Sequence, residues 1–574
     1  MLLPDILRER ARTAPAATAY VFLDEHGAET TALTYAGLDR RARAIAARLA
    51  GTTRPGDRAL LVFPSGPDFV AAFFACLYAG VIAVPVIPPR RGRAHPATHG
   101  IVADCDPAVL LTVGAPEVDL PVPQRIAVDE VPAAGPSIDP KPCAPGGPAF
   151  LQYTSGSTGA PRGVVVTHRN LSANQEMIRA AFGHDEHSTF VGWAPLYHDQ
   201  GLIGNLLHPL HLGAPCILMA PLTFIRRPLL WLTAISRYRA HTSGGPNFAF
   251  DACVRHAERS GVPAGLDLSS WRVAFNGAEP IRAETLRRFA ATFAPHGFDP
   301  GALYPCYGLA EATLLVSGGV PGRGARELRA DIAALGAGTL RAAAPGEPAR
   351  PLVGSGRPAP GVDVRIVDPE SGEPCPPGRI GEIRLAGANI AAGYWRDPDG
   401  TAAVFGGRRA AGGVGDGERV DAADGLRTGD LGQFVDGELY VTGRRRDLII
   451  VRGRNHYPHD LEHTAQAAHP AARTGGTAAF AAGADDRPVL VQEIERDTTA
   501  AEAEIAGAIR SALLRDHDLA LGELVLTVPG ALPKTSSGKI MRGAARAHHL
   551  GAGFERWGAP PVEPGRRMNL RPIH

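Results

Sequence analysis

The stretch from Val70 to Ile87 constrains this chain most, because it carries no charged residue and is long enough to cross a bilayer. Gly80 and Pro85 interrupt it, and no charged flank follows at once. A buried helix over Phe69 to Tyr78 that ends at Gly80, then a core strand over Val81 to Val86, accounts for it better than a membrane span. The neighbouring pattern agrees. Leu38 to Leu49 places Arg on one face and Ala, Ile and Leu on the other, as an amphipathic helix does. Ala59 to Phe63 and Val109 to Val113 read as buried strands. Alternation of this kind predicts an α/β chain, with helices layered on parallel sheets in a large N-terminal domain.

Further along, Arg365-Ile366-Val367-Asp368 and Gly381-Glu382-Ile383-Arg384-Leu385 are short strands separated by turn residues. They predict a smaller β-rich subdomain from about Leu352 to Val441. Two segments read as loops: Gly318 to Pro351, rich in Gly, Ala, Arg and Pro, and Gly406 to Gly425. Either reads as mobile, and the first alternatively as a folded insertion. A boundary near Thr442 divides an N-terminal domain, residues 1–441, from a small α+β C-terminal domain, residues 442–574.

Composition narrows the functional classes. The 574 residues are 45% hydrophobic and 20% charged with a net charge of +1, so no basic field attracts nucleic acid or an anionic membrane. Seven cysteines lie far apart with no CxxC pair, which fits a reduced cytoplasmic protein without a zinc site. The N-terminus lacks the pattern of a signal peptide. Lysine is scarce: three stand among 59 basic residues, and two of them, Lys534 and Lys539, share the segment Leu532-Pro533-Lys534-Thr535-Ser536-Ser537-Gly538-Lys539. Lys and Arg are not interchangeable where a compact point charge must enter a tight, oxygen-rich site, so these lysines are candidates for chemistry.

A second candidate is Tyr153-Thr154-Ser155-Gly156-Ser157-Thr158-Gly159-Ala160-Pro161-Arg162-Gly163, which follows the apolar Ala149-Phe150-Leu151. Small hydroxyl residues and glycines let backbone N–H groups approach phosphate oxygens, and Arg162 adds positive charge. The spacing is not that of a Walker A loop.

This loop resembles the phosphate-binding signature of the adenylate-forming superfamily, with Arg162 where the family usually has Lys. Further resemblances follow in order: Trp193-Ala194-Pro195-Leu196-Tyr197-His198-Asp199, Asn276-Gly277-Ala278-Glu279-Pro280, Tyr304 to Thr313, Leu426-Arg427-Thr428-Gly429-Asp430, Gly443-Arg444, and Lys539. Within the superfamily the chain is most similar to fatty acyl-AMP ligases, on Trp193 to Gly204, Gly244 to Asp251, Asn276 to Arg282 and Asp447 to Glu462. That family carries an N-terminal-domain insertion that restrains domain motion and disfavours coenzyme A. Gly318 to Pro351 stands where it is expected.

The resemblance implies an ATP- and Mg²⁺-dependent ligase that joins a fatty acid to AMP, releases pyrophosphate, and passes the acyl group to the phosphopantetheine thiol of a carrier. No carrier motif follows Lys539, so the carrier is expected as a separate acyl carrier protein or a carrier domain of a polyketide or peptide synthase. It implies roles for named residues. Lys539, on a mobile C-terminal domain, bridges the fatty carboxylate and the α-phosphate. Glu311 holds Mg²⁺. Thr154, Ser155, Gly156, Ser157, Thr158, Gly159 and Arg162 hold phosphates. Asn276, Gly277, Ala278, Tyr307 and Gly308 receive adenine, Asp430 takes the ribose hydroxyls, and Arg444 meets ribose or phosphate. His198 lines the acyl channel, and Arg446 takes the hinge position. Phe248, Phe250, Leu202 and Ile203 are candidates for the tail pocket. The alternatives are an acyl-CoA ligase on the same fold, an adenylation enzyme for an amino or aryl acid that uses Asp251, and a catalytically silent lipid-binding copy.

Overall fold

The computed structural model describes every residue except 90–92, 115–118, 155–160, 407–424, 484–485, 536–537 and 559–574. The stretch between residues 406 and 425 that the sequence marks as a loop therefore lies almost wholly outside the described residues. The chain divides into two compact units, Met1–Arg445 and Arg446 onward, and the strand Glu438–Arg444 runs up to the division.

The uncharged stretch folds as a buried helix and strand. Helix Pro67–Ala79 opens with proline in its first turn, where a missing N–H costs nothing, and is buried from Phe69 to its end. Gly80 closes it with φ of 71°, a left-handed conformation that a β-carbon penalises, and its N–H caps the carbonyls of Cys76 and Leu77. Strand Ile82–Pro85 follows at once, buried throughout. No helix among the described residues is long and apolar enough to cross a membrane.

Two large sheets dominate the first unit. One has six strands in the order Arg125–Ala127, Val109–Thr112, Arg58–Val62, Ile82–Pro85, Pro148–Thr154 and Arg162–Thr167, with only the last pair antiparallel. The second has nine strands. Its parallel centre runs Leu303–Gly308, Val273–Asn276, Thr242–Gly245, Phe190–Gly192, Cys216–Met219 and Thr18–Leu23. Both faces of such a sheet are covered, which is why its strands lack an alternating polar pattern. A four-stranded antiparallel sheet, Val362–Val367, Gly381–Gly387, Leu426–Val435 and Glu438–Arg444, forms the β-rich part of this unit.

The segment Gly318 to Pro351 carries regular structure. Strand Glu327–Asp331 pairs antiparallel with Ala349–Val353, and the short helix Ile332–Gly336 lies between, capped by Asp331. The second unit packs helices Pro458–Ala468 and Glu502–His517 around Leu461, Leu490, Ile505, Ile509 and Leu513, on a sheet of Ala472–Ala482, Arg487–Ile494 and Glu523–Thr527. All seven cysteines are free thiols.

Candidate active site

Parallel strands deliver their carboxyl ends to one edge of a sheet, and ligands of α/β folds bind there. In the nine-stranded sheet this edge carries Gly192 leading to Trp193, Gly245 in register with Asn276, and Asn276 in register with Pro305. The sheet therefore gathers Asn276, Gly277, Ala278, Tyr307 and Gly308 from two adjacent strands. Asn276 is fully buried, and neither polar atom of its side-chain amide has a hydrogen-bond partner. A β-carbon on Gly277 would stand 2.9 Å from the carbonyl oxygen and sulfur of Cys306, so only glycine keeps these two chains this close. Ala278 takes φ of 68°, uncommon for a residue with a side chain.

Tyr307 reaches across to the four-stranded sheet. Its hydroxyl donates to Oδ2 of Asp430 at 2.7 Å, and Nε of Arg444 donates to Oδ1 of the same carboxylate at 2.9 Å. Asp430 and Arg444 are direct cross-strand partners, a position where opposite charges stabilise the pair. The Asp430 side chain is 8% exposed and that of Arg444 is 50% exposed, so one partner is fixed and the other faces water. On the same strand, Thr428 donates its hydroxyl to the Ile383 carbonyl and accepts the N–H of Asp430. Burial, then the Asp430 charge, push the Tyr307 phenol well above its usual range, so it stays a donor.

Glu311 sits on a single 3₁₀ turn, Ala310–Ala312, just past the strand that carries Tyr307. Thr313 follows with φ of 68° and ψ of −64°, and the Leu314 N–H donates to the Ala312 carbonyl at 2.8 Å. This is a three-residue γ-turn of the rare, strained kind, worth about 1–3 kcal/mol of strain. The Thr313 hydroxyl donates to the Asn389 carbonyl at 2.6 Å, and the Asn389 amide donates to the Ala312 carbonyl at 3.2 Å, which over-determines the turn. Tyr394 donates its hydroxyl to Oε1 of Glu311 at 2.9 Å. Burial raises the Glu311 carboxyl, and its own backbone N–H and the Tyr394 hydroxyl pull it back toward the charged form.

The phosphate-loop segment forms a hairpin. Strand Pro148–Thr154 pairs antiparallel with Arg162–Thr167, and Thr154 stands opposite Arg162. The loop between them, with Ser155, Gly156, Ser157, Thr158 and Gly159, lies outside the described residues. The Arg162 guanidinium lies 5.1 Å from the centre of the Tyr394 ring and 3.9 Å from Asp397. Tyr394 thus links the hairpin to Glu311. No local pattern marks this link, because Tyr394 lies 83 residues from Glu311 and belongs to no motif of its own.

His198 follows strand Phe190–Gly192, its N–H donating to Pro195 and its carbonyl accepting from Leu202. Gln152, on the hairpin strand, donates to the carbonyl of the adjacent Tyr197 at 3.0 Å. A π-helix, Gln200–Leu207, continues from there. Among the tail-pocket candidates, Phe248 packs edge-on against Trp193, whose ring stacks on Phe224 at 3.9 Å. Phe250 belongs instead to the core with Trp231, Trp271 and Phe289, and Leu202 and Ile203 are completely buried. Asp251 lies 3.2 Å from Arg255 and 3.5 Å from Arg288, so its charge is already answered.

Lys539 and Arg446 belong to the second unit. There the lysine segment closes on itself. The Thr535 N–H donates to the Lys539 carbonyl at 2.8 Å, and the Lys539 N–H donates to the Thr535 hydroxyl at 3.1 Å. Arg446 lies 3.4 Å from the neighbouring Asp447.

Comparison with known proteins places this arrangement in context. Residues 7–395 match the family model for AMP-binding enzymes, and residues 446–555 match that for the AMP domain of Disco-interacting protein 2-like proteins. The medium-chain-fatty-acid–[acyl-carrier-protein] ligase JamA of Moorena producens is 42% identical, over 97% of this chain and 96% of that protein. The long-chain-fatty-acid–AMP ligase FadD32 of Mycolicibacterium smegmatis is 39% identical, over 93% and 91%. Among solved structures, a fatty acyl-adenylate ligase from a study of the E. coli and L. pneumophila enzymes matches with a TM-score of 0.85 at 33% identity, covering 96% of this chain and 98% of that one. The L. pneumophila enzyme in complex with acyl adenylate and pyrophosphate matches with a TM-score of 0.74 at 38% identity, covering 96% and 97%. The chain belongs to the adenylate-forming family of AMP-binding enzymes, among the fatty acyl-AMP and fatty acid–carrier-protein ligases.

Proposed function

We propose that this protein activates a fatty acid with ATP and hands the acyl group to the phosphopantetheine thiol of a separate carrier protein. In the first step a carboxylate oxygen attacks the α-phosphorus, the bond to the β-phosphate oxygen breaks, and pyrophosphate leaves with that electron pair. In the second, the carrier's thiolate attacks the acyl carbonyl and AMP leaves. The first step brings two anions together, so catalysis is mainly positioning and neutralisation of charge. The observation that carries this reading is the pairing of Tyr307 and Arg444 on the two oxygens of Asp430, beside the sheet edge that holds Gly277. A fixed, buried carboxylate with spare lone pairs is suited to accept the two hydroxyls of a ribose, and the neighbouring strand ends at Asn276 and Tyr307 would receive the base.

Glu311 offers one hard carboxylate, with Tyr394 to orient it. That donor set fits Mg²⁺, which takes few protein ligands and fills its shell with water and substrate phosphates. The ion would screen triphosphate charge. Arg162 and Thr154 would hold phosphate oxygens at the base of the hairpin, and Lys539 would bridge the carboxylate and the α-phosphate. His198 would border the acyl carboxylate, with Trp193 and Phe248 beside the tail.

The acceptor is the finer question. The relatives named for carrier-protein ligation support a carrier, and the folded 318–351 segment stands where the family's insertion against coenzyme A is expected. The Asp251 ion pairs favour a fatty acid over an amino acid, since that carboxylate is not free to grip an α-amino group. Incubation with ATP, dodecanoic acid and either coenzyme A or a phosphopantetheinylated carrier tests the choice. Acyl-carrier product in excess is expected, and equal formation of acyl-CoA would replace this reading with an acyl-CoA ligase.

A further inference from the structure

The lysine segment is gripped at both ends by buried charges, and neither grip has a part in the reading above. At its start, Glu493, on strand Arg487–Ile494, has a completely buried side chain. Its Oε1 accepts the N–H of Leu532 at 3.0 Å. Its Oε2 has no hydrogen-bond partner and lies 3.9 Å from Nζ of Lys534 and 3.6 Å from Arg473. A buried carboxylate oxygen in that condition is costly unless cations stand close, and Lys534 is one of two that do. Lys534 is itself fixed, since its ammonium donates to the Gly475 carbonyl at 2.8 Å. A β-carbon on Gly476 would stand 2.9 Å from the Glu493 side chain, so the strand that supplies the carbonyl is held against the carboxylate.

At the far end, Arg542 makes a forked contact with Glu462, Nε to Oε1 at 2.6 Å and Nη2 to Oε2 at 2.7 Å. The same guanidinium donates to Oδ2 of Asp447 at 3.2 Å. Forked guanidinium–carboxylate pairs fix direction as well as distance. Asp447 stands at the start of the second unit, so Arg542 ties the point where the chain enters that unit to a residue three positions beyond Lys539. Between the grips, the bridge between Lys534 and Ile540 and the N–H of Met541 on the Pro533 carbonyl close the loop.

We propose that Lys534 and Arg542 are positioning residues that aim Lys539, holding its loop between Glu493 at one end and Glu462 with Asp447 at the other. This rests on the reading of Lys539 as the bridging charge in adenylate formation. Lys534 supplies a charge to a buried carboxylate and does not touch substrate. A loosened loop leaves the nucleotide site intact and misplaces one charge, so the loss falls on turnover and not on binding.

The test measures dodecanoate-dependent pyrophosphate release by full-length Lys534→Met, Lys534→Arg, Asp447→Asn and Lys539→Ala, with calorimetric affinity for dodecanoyl adenylate alongside. Expected are kcat values lower by on the order of 10- to 100-fold in Lys534→Met and Asp447→Asn, KM for ATP within about twofold, and unchanged adenylate affinity. Lys534→Arg restores turnover. If Lys534→Met does not fold, Asp447→Asn carries the same test, because it leaves the Glu462 fork in place. Wild-type kcat in both variants, beside an inactive Lys539→Ala, overturns the positioning roles alone. Parallel loss of kcat, ATP affinity and adenylate affinity also overturns them, as general damage. Full activity in Lys539→Ala overturns the reading beneath them and the inference with it.

Discussion

The Tyr394 hydroxyl donates to Oε1 of Glu311 at 2.9 Å, while the Arg162 guanidinium lies 5.1 Å from the centre of the same ring. One tyrosine thus touches both the Arg162 hairpin, proposed to hold phosphates, and the carboxylate proposed to hold the metal ion. Its hydroxyl favours the charged form of a carboxyl that burial shifts toward the neutral one. Tyr394→Phe removes that bond and leaves the ring. A hydrogen bond to a charged group contributes about 1.5–3 kcal/mol, so kcat/KM for adenylation is expected to fall roughly 10- to 100-fold. The Mg²⁺ concentration for half-maximal rate should rise. The Glu311 carboxyl moves further up in this variant, so activity, which needs the charged form, is lost at a higher pH as the solution is acidified. A pH–rate profile with an unmoved acid limb would contradict this role.

Asp430 supports two neighbours at once. Asp430→Ala removes the carboxylate that the half-buried Tyr307 hydroxyl donates to and a partner of Arg444. A hydrogen bond to a charged group contributes about 1.5–3 kcal/mol, so a lower urea midpoint is expected together with a KM for ATP raised at least about tenfold. Tyr307→Phe keeps the carboxylate, and its KM for ATP should rise less. Equal KM values in the two variants would argue that Asp430 acts only through Tyr307.

Gly245 abuts the aromatic stack beside the proposed acyl site. A β-carbon there would stand 2.6 Å from the Trp193 ring, which is already stacked on Phe224. Gly245→Ala forces the indole aside, and overpacking of this kind costs about 1–3 kcal/mol. Competition between short and long fatty acids, read by mass spectrometry of acyl adenylates, should show a changed chain-length preference. An unchanged preference in a folded variant would remove Trp193 from the tail pocket.

A buried histidine chain predicts the pH dependence of stability. His184 Nδ1 lies 3.1 Å from His208 Nε2, and His208 Nδ1 lies 2.6 Å from Oε1 of Gln175. Gln175 donates its amide N–H to Ile203, which turns its oxygen toward His208. Both rings therefore carry their proton on Nδ1 and are neutral. Burial pushes His184 down to about 3 and pushes His208 well below its usual range. The unfolded chain takes up these protons below about pH 6.5 and the folded chain does not. Their contribution is fully present above that pH and is lost as pH falls, at about 1.4 kcal/mol per unit for each ring. Urea midpoints measured near pH 7 and near pH 5 should fall accordingly, and midpoints that stay level would contradict neutral buried rings.

Local structure was legible wherever one residue decides it. Gly80 ends its helix in a left-handed conformation that glycine adopts without penalty, and the fully apolar strands announced parallel sheets covered on both faces. Motif spacing was readable too: Asn276 and Tyr307 lie near strand ends, Glu311 lies in a turn, and Asp430 stands within the strand Leu426–Val435. What the sequence hid is long-range. Tyr394 gains its meaning from a partner 83 positions away. The strained turn at Thr313 is imposed by Asn389, and a threonine carries no local sign of it. Gly318 to Pro351 looked loop-like because Gly, Ala and Arg dominate it, yet its strands pair with each other at its two ends. Phe250 showed the reverse problem, since a core aromatic and a pocket aromatic look alike in sequence.

The most direct measurement is pyrophosphate release by the purified protein with ATP, Mg²⁺ and a panel of fatty acids, with acyl adenylate identified by mass spectrometry. Release that depends on the fatty acid, an acyl-AMP product, and loss of both in Lys539→Ala are expected. Release independent of any fatty acid, or none with any member of the panel, would contradict the proposed adenylation.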